Sequence, residues 1–339
     1  MIKVKSGSNS SILSVGTYRA KNLIPNSAIV EQIESSDEWI QQRTGIESRR
    51  FADKEVTVVD MGVAAAKEAL NRANINADKI DTIILATITY PHQTPSGASG
   101  IAAAIGAIKA AAFDLAAACA GFTYGVGLAS DMIRSGNANY VLVIGSEKIS
   151  DFTDPTDRAT AFIFADGAGA VVIGESTEPG IGPVEWGSDA DSRDAILMNP
   201  SWVDIRDTDT QLTKAGGKWP NIYQEGQKVF RWAVFSMGKA ALKALESAGL
   251  SVHDIDAFIP HQANMRIIET MAKEMDMPES VIIADDIRKN GNTSAASIPL
   301  AMDALLQQHP ELHGKLALLI GYGAGLVYAG QVVKLPPKP

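Results

Sequence analysis

Two stretches of this chain read alike at a constant offset, and that constrains its fold more than any other feature. Ala69-Leu70-Asn71-Arg72-Ala73 followed by Ile80-Asp81-Thr82-Ile83-Ile84 lines up with Ala244-Leu245-Glu246-Ser247-Ala248 followed by Ile255-Asp256-Ala257-Phe258-Ile259. The offset is 175 at both ends, 244 against 69 and 256 against 81. Applied to Cys119 it lands on Ser294, and a similar offset carries 141–145 onto 317–321. Such self-similarity marks a duplicated unit. Each copy offers strand, helix, strand and a glycine-bearing turn in the same order, which predicts an α/β chain of two like halves, 1–178 and 179–339. Two equivalent corners facing each other would bring Cys119, His261 and Asn292 together.

The first corner holds the only cysteine among 339 residues. Residues before Cys119 read as the end of a strand. Residues 120–134 read as a helix whose apolar face is Phe122, Val126, Ala129 and Ile133. A sulfur at a helix N-terminus meets unpaired N–H groups and the helix dipole, which favour the thiolate. Taken alone, the stretch fits an inert core cysteine equally well. One cysteine excludes internal disulfides and multi-cysteine zinc sites and suits a reducing cytoplasm. The formal net charge of −9 argues against general nucleic-acid binding. No apolar run reaches the length of a membrane span, and no secretory signal is expected.

Spacing predicts strands over 12–17, 80–87, 140–145, 256–260, 281–284 and 316–321, with a last one ending at 333. Helices are expected over 26–34, 57–73, 100–108, 229–248, 267–275 and 300–308. A short helix capped by Ser36 or Asp37 displays Trp39 and Arg43 on one face, a pairing able to hold a flat ring and a phosphate, or simply a core Trp beside a surface Arg. The Gly-rich stretch 164–174 reads as a turn leading into a strand. Residues 175–227 read as a long connection with a short hairpin, and both 1–10 and 335–339 as loose ends.

His261 follows a buried strand, and Asn292 sits at another strand-to-helix corner. Gly323-Ala324-Gly325 can approach other backbone closely. A thiolate, an imidazole, an amide and free N–H groups make an acyl-transfer set. Donors rather than a strong base favour decarboxylation as the route to an enolate. Each part also has an ordinary structural use as a core histidine or a turn former. His92, His253, His309 and His313 lie in polar or loop settings and receive no role.

At these residues the chain resembles the 3-oxoacyl-[acyl-carrier-protein] synthase III family, the initiating condensing enzymes of bacterial type II fatty-acid synthesis. The likeness runs from about residue 12 to 335. It rests on Ser36-Asp37-Glu38-Trp39-Ile40, Arg43-Thr44-Gly45-Ile46, Ala117-Ala118-Cys119-Ala120-Gly121-Phe122, Phe164-Ala165-Asp166-Gly167-Ala168, Pro260-His261-Gln262-Ala263-Asn264 and Gly291-Asn292-Thr293-Ser294-Ala295-Ala296-Ser297. The resemblance implies the thiolase fold, a duplicated five-layered α-β-α-β-α arrangement with two mixed sheets, and a cytoplasmic homodimer without cofactor or metal. It implies acyl-CoA and malonyl-acyl-carrier-protein as substrates, Cys119 as the acylated nucleophile, and His261 and Asn292 as its partners.

By the same resemblance the N–H groups of Cys119 and Ala324 form an oxyanion hole. Trp39 and Arg158 clamp the adenine of coenzyme A, Arg43 sits by its phosphates and Asn264 along its pantetheine. Gln262, Ala263, Asn264, Met265 and Arg266, extended by Arg231 and Lys273, meet the carrier protein. Thr94 reaches the partner subunit's acyl pocket. Two positions depart from many relatives. Ala324 replaces a common glycine but keeps its backbone donor, and Thr94 replaces a bulky residue, implying a deeper pocket. Elongating synthases and thiolases carry histidine where Asn292 stands, and plant-type polyketide synthases fit the Trp39 and Arg43 motifs less well. The alternatives are a same-fold enzyme of secondary metabolism with another acceptor, of polyketide or quinolone type, and an inactive protein that binds acyl-CoA or carrier protein.

Overall fold

The structure, a computed structural model, describes residues 7–207 and 219–339. The first six residues and 208–218 of the long connection therefore lie outside the description. In the first half come β1 (Asn9–Arg19), β2 (Asn22–Pro25), α1 (Asp37–Thr44), β3 (Ser48–Phe51), α2 (Val58–Ala73), β4 (Thr82–Ala86), α3 (Gly97–Ile105), β5 (Ala111–Leu115), α4 (Gly121–Arg134), β6 (Tyr140–Lys148) and β7 (Asp166–Ser176). The second half adds β8 (Glu185–Ser188), β9 (Ile196–Asn199), α5 (Trp202–Asp207), β10 (Asn221–Gln224), α6 (Gly226–Ser247), β11 (Ala257–Pro260) and α7 (Met265–Glu274). It ends with β12 (Ile282–Ile283), α8 (Ile287–Asn290), α9 (Ser297–Gln308), β13 (Leu316–Gly323) and β14 (Val327–Lys334).

The duplication is explicit in the sheets. One has strand order β1-β7-β6-β4-β5 and the other, read from the matching edge, β8-β14-β13-β11-β12. In each, the first three strands pair antiparallel and the last three pair parallel. Helices α4 and α9 lie between the sheets, α2 and α3 cover the outside of the first, and α6 and α7 cover the outside of the second. This is the five-layered thiolase fold, with two mixed sheets.

Local chemistry explains the elements. Thr57 accepts from the Asp60 N–H while the Asp60 side chain accepts from the Thr57 N–H, a reciprocal cap that starts α2. The α4 face Phe122, Val126, Ala129 and Ile133 is fully buried in the central layer, facing Ile84, Val143, Ile259 and Leu319 of the two sheets. Gly145 of β6 lies so close to Ala295 that a Cβ would fall 2.3 Å from its carbonyl oxygen, and Gly321 of β13 lies likewise against Thr123 and Ala120. Each half thus presses a side-chain-free strand position onto the corner of the other.

Several expectations need correction. Residues 26–34 form a 3₁₀ turn at Asn26–Ala28 and further turns, because the Asn26 side chain is spent on tertiary bonds to Asp37 (2.6 Å), the Ile46 carbonyl (2.8 Å) and Arg49. Strand β1 outruns its prediction at its start, where Ser10 is buried with a partner, Ser130. Helix α3 starts at Gly97 rather than 100, where the Asp114 carboxylate accepts the Gly97 and Ala98 N–H groups. The connection contains β8, an edge strand of the second sheet, besides the β9–β10 hairpin. The C-terminus is pinned: Leu335 is buried, and the Pro336 carbonyl accepts bonds from Gly314 and His313.

Candidate active site

The two strand-to-helix corners are single 3₁₀ turns, Ala118–Ala120 and Ser294–Ala296, leading directly into α4 and α9. Ala118 and Ser294 both take left-handed backbone, at φ +45° and +50°. That alignment makes Ser294 the counterpart of Ala118, so Cys119 corresponds to Ala295 and the offset here is one longer than in the first part of the repeat. Non-glycine residues rarely hold such a conformation unless their surroundings impose it.

Cys119, His261 and Asn292 open onto one cavity of about 320 Å³. Its walls come from both halves. Ala118, Cys119, Ile149, Ile163 and Phe164 belong to the first; Phe230, Trp232, Ala263, Asn264, Ile267, Ser294, Tyr322, Gly323 and Ala324 belong to the second. The β9–β10 hairpin contributes Ile196, Leu197, Met198, Ile222 and Gln224. The lining is predominantly apolar, as an acyl chain requires.

Cys119 keeps part of its surface open to this cavity, with protein around the rest. Burial pushes its thiol up to about 12, Ser294 opposes the rise through a hydrogen bond, and the Glu147 carboxylate adds to it. Desolvation thus works against the thiolate that the helix start is expected to favour.

His261 is buried, and burial lowers its pKa to about 3, which leaves the ring neutral. Its Nδ1 lies 2.7 Å from the Ser297 hydroxyl, which also accepts from the Gln262 N–H at 3.3 Å. Assigned from this network, Ser297 donates to Nδ1 and Nε2 carries the hydrogen toward the cavity. Tyr322 packs edge-on against the ring at 5.3 Å. Asn292 is held from both sides: the Ala165 N–H donates to its carbonyl (2.8 Å) and its N–H donates to the Ile163 carbonyl (2.9 Å), a bridge between the halves at Phe164. Its side-chain oxygen accepts the Ser294 N–H at 2.8 Å, leaving the amide hydrogens for the cavity.

At the mouth, the guanidinium carbons of Arg43 and Arg158 both lie 5.2 Å from the centre of the Trp39 ring. Asn264 caps α7 and donates to the Arg43 carbonyl (3.1 Å), tying α7 to α1. Arg266, over the Phe230 ring at 5.5 Å, and Arg231 and Lys273 are exposed. Gln262 and Met265, expected to meet a carrier protein, are buried instead. Gln262 donates to the Pro260 carbonyl and accepts from the Ile287 N–H, which leaves its amide no surface to offer. Thr94 is exposed on the loop before α3 and does not line the cavity of its own subunit. Sequence reasoning gave no role to Glu147, Ser294, Ser297 or Tyr322. Ser294 and Ser297 stood within a quoted motif, and Glu147 at the polar end of an apolar strand.

The fold and the cavity together define a thiolase-fold condensing enzyme of the acyltransferase class. The family model of 3-oxoacyl-[acyl-carrier-protein (ACP)] synthase III matches residues 113–190, and its C-terminal model matches 245–335. The chain is 54% identical over 329 residues, covering 96% of each partner, to beta-ketoacyl-[acyl-carrier-protein] synthase III 1 of Streptomyces coelicolor. Among solved structures it resembles the priming beta-ketosynthase of the R1128 polyketide pathway, at 42% identity and TM-score 0.95 over 100% of this chain and 99% of that one. It also resembles the synthase III of Aquifex aeolicus, at 36% identity and TM-score 0.86 over 96% of this chain and 100% of that one. The chain belongs to the 3-oxoacyl-[acyl-carrier-protein] synthase III family.

Proposed function

We propose that this enzyme opens type II fatty-acid synthesis by joining the acyl group of an acyl-CoA to malonyl-acyl-carrier-protein, releasing CoA and CO2 and leaving a 3-oxoacyl-carrier-protein. The observation that carries the reading is the convergence of Cys119, His261 and Asn292 on one apolar cavity. The Cys119 sulfur attacks the acyl-CoA thioester, and the N–H groups of Cys119 and Ala324 hold the oxyanion. The malonyl thioester then enters. As it loses CO2, its carbonyl oxygen gains charge and accepts hydrogen bonds from His261 Nε2–H and the Asn292 amide. A neutral imidazole suits this task, since it must donate without taking a proton. The carbanion attacks the acyl thioester and Cys119 leaves. All the donors are side chains and backbone, so the reading calls on no metal or cofactor.

Trp39 and Arg158 face each other as an adenine clamp, with Arg43 placed for the phosphates and Asn264 for the pantetheine arm. Arg266, Arg231, Lys273 and the half-buried Ala263 form the face for an acidic carrier, which a chain of net charge −9 needs as a local patch. A homodimer is supported by β5, which among the described residues is an edge strand pairing only with β4, and where Phe113 and Leu115 stay half-buried. Thr94 then belongs to the partner's acyl pocket. The halves divide at 178/179. We assign the enzyme to the cytoplasm on its family resemblance; separately, among the described residues no helix is long and apolar enough to cross a membrane. The test is CO2 release from malonyl-carrier-protein in step with acyl-CoA consumption, together with an acyl mass increment on Cys119. The close fit to a polyketide priming synthase favours one second reading, in which the product enters secondary metabolism. Turnover with long or branched primers but none with acetyl-CoA would favour it.

A further inference from the structure

Glu147 is a buried acid that the chemistry above leaves without a task. It is fully buried in β6, where its carboxylate accepts bonds from the Thr87 hydroxyl (3.1 Å), the Thr89 hydroxyl (2.5 Å), the Ile88 N–H (3.1 Å) and the Ser294 hydroxyl (3.1 Å). None of these carries a charge to compensate it. The adjacent Lys148 turns away, donating to the Asp53 and Lys54 carbonyls and lying 3.7 Å from Asp151. Asp166, opposite Lys148 on β7, is occupied by the Ala52 and Ser150 N–H groups and the Ser150 hydroxyl. Burying an uncompensated carboxylate is costly, and a purely structural position would be served by an amide.

The four contacts are not equivalent. The Thr89 hydroxyl oxygen accepts the Lys148 N–H (2.9 Å) and that of Thr87 accepts the Thr89 N–H (3.2 Å), so both hydroxyl hydrogens are directed at Oε2. The Ile88 N–H can only donate. Oε2 thereby carries both threonine hydroxyls and the nearer arm of the Ile88 N–H, which also reaches Oε1 at 3.3 Å, so Oε1 is the less occupied oxygen and a proton arriving on Glu147 belongs there, 3.1 Å from Ser294. On its other side Ser294 shares the cavity wall with Cys119, at the paired corner, and its hydroxyl favours the thiolate there. Ser294 is the contact whose direction can reverse.

We propose that Glu147, acting through the Ser294 hydroxyl, stores the Cys119 proton during each turnover. The Cys119 S–H bond breaks as its proton passes to Ser294 Oγ. The Ser294 O–H bond breaks as its own proton passes to Glu147 Oε1. One O–H bond re-forms on Ser294, one forms on Glu147, and the negative charge moves from carboxylate to sulfur. The buried site keeps its total charge, and the carboxylate that opposed the thiolate is neutralised as the thiolate appears. When condensation frees the sulfur, the proton returns along the same path. Glu147 is a positioning residue here, and Ser294 is the group touching the reacting atom.

Burial holds the Glu147 carboxyl near 7, against the stabilising bonds of Thr89, Ile88, Ser294 and Thr87, so both of its forms are accessible near neutrality. The other titratable groups of the cavity, His261 and Tyr322, are kept neutral by burial, and His261 is bonded to Ser297 rather than to this relay.

The inference rests on Cys119 being the nucleophile. Two measurements separate the two claims. Loss of the acyl mass increment on wild-type Cys119 would defeat the nucleophile itself. The relay is tested by the rate of Cys119 alkylation with iodoacetamide, followed by mass from acid to mildly alkaline pH. The wild-type rate should rise through a limb near the Glu147 titration. Glu147→Gln should lose that limb and react ~10²-fold more slowly at neutral pH. Ser294→Ala should do the same, and the double variant should be no slower than either single one. Wild-type rate and profile in Glu147→Gln, or additive losses in the double variant, would overturn the proposal. Should Glu147→Gln fail to fold, the Ser294→Ala profile decides it alone.

Discussion

Gly323 and Cys119 are packed so closely that a Cβ on the glycine would lie 2.8 Å from the Cys119 Cβ and 3.2 Å from its sulfur. Gly323→Ala must therefore push the nucleophile out of line. We expect acyl loading to fall ~10²-fold, since misplacement by a fraction of an ångström to an ångström is expensive in an oriented attack. The strain should cost about 1–3 kcal/mol of stability. Loading by mass and thermal melting check the two effects, and wild-type loading would show that the corner has slack.

Cys119→Ser should show no acyl increment from acyl-CoA. His261→Ala and Asn292→Ala should still acquire it but release CO2 from malonyl-carrier-protein ~10²- to 10³-fold more slowly. Equal loss of loading in all three would contradict the division of roles.

Trp39 carries two guanidinium groups on its ring. Trp39→Ala should raise KM for acyl-CoA roughly tenfold with little change in kcat, the pattern of lost uniform binding. A short acyl-pantetheine thioester lacking the nucleotide should show no such penalty. A penalty of the same size on that substrate would place the defect in the cavity instead.

The Glu147 carboxyl is raised from its ordinary 4.5 to about 7. Its contribution to stability is therefore complete below about pH 4.5 and is lost as pH rises through about 7. Relative to wild type, Glu147→Gln should gain stability over that window by up to on the order of 3 kcal/mol and change no further above it. His261, lowered by burial to about 3, acts in the opposite sense, and its share is lost as pH falls below its ordinary 6.5. Melting temperatures of both forms across this pH range test the pattern. A constant difference between them would assign Glu147 an unperturbed carboxyl.

Thr94→Phe should shift primer preference toward shorter acyl chains if this residue enters the neighbouring subunit's pocket. A chain-length series of acyl-CoA primers measures it, and an unchanged profile would remove Thr94 from the pocket.

Much of this was legible in the residues, for reasons that are local. The α4 face and the repeat offset each need only spacing, and the offset led to the two corners and their three side chains. What failed depended on neighbours distant in sequence. Asn26 looks like a helix cap until Asp37, Ile46 and Arg49 claim its side chain. Gln262 and Met265 belong to a polar-looking motif but face inward. The reactivity of Cys119 was read from the helix it precedes, whereas its burial, which spacing does not show, works against the thiolate. Glu147 looked like the charged end of a strand, because the three donors at Thr87, Ile88 and Thr89 come from a loop some sixty positions earlier.

The backbone bridge at Phe164 and Asn292 has a consequence for how the enzyme is made. A ribosome delivers the cysteine-bearing copy first, when its carboxamide and imidazole have yet to be synthesised. Only docking of the later copy draws Asn292 into register beside that sulfur. An unfinished or truncated chain therefore carries a thiol without its helpers.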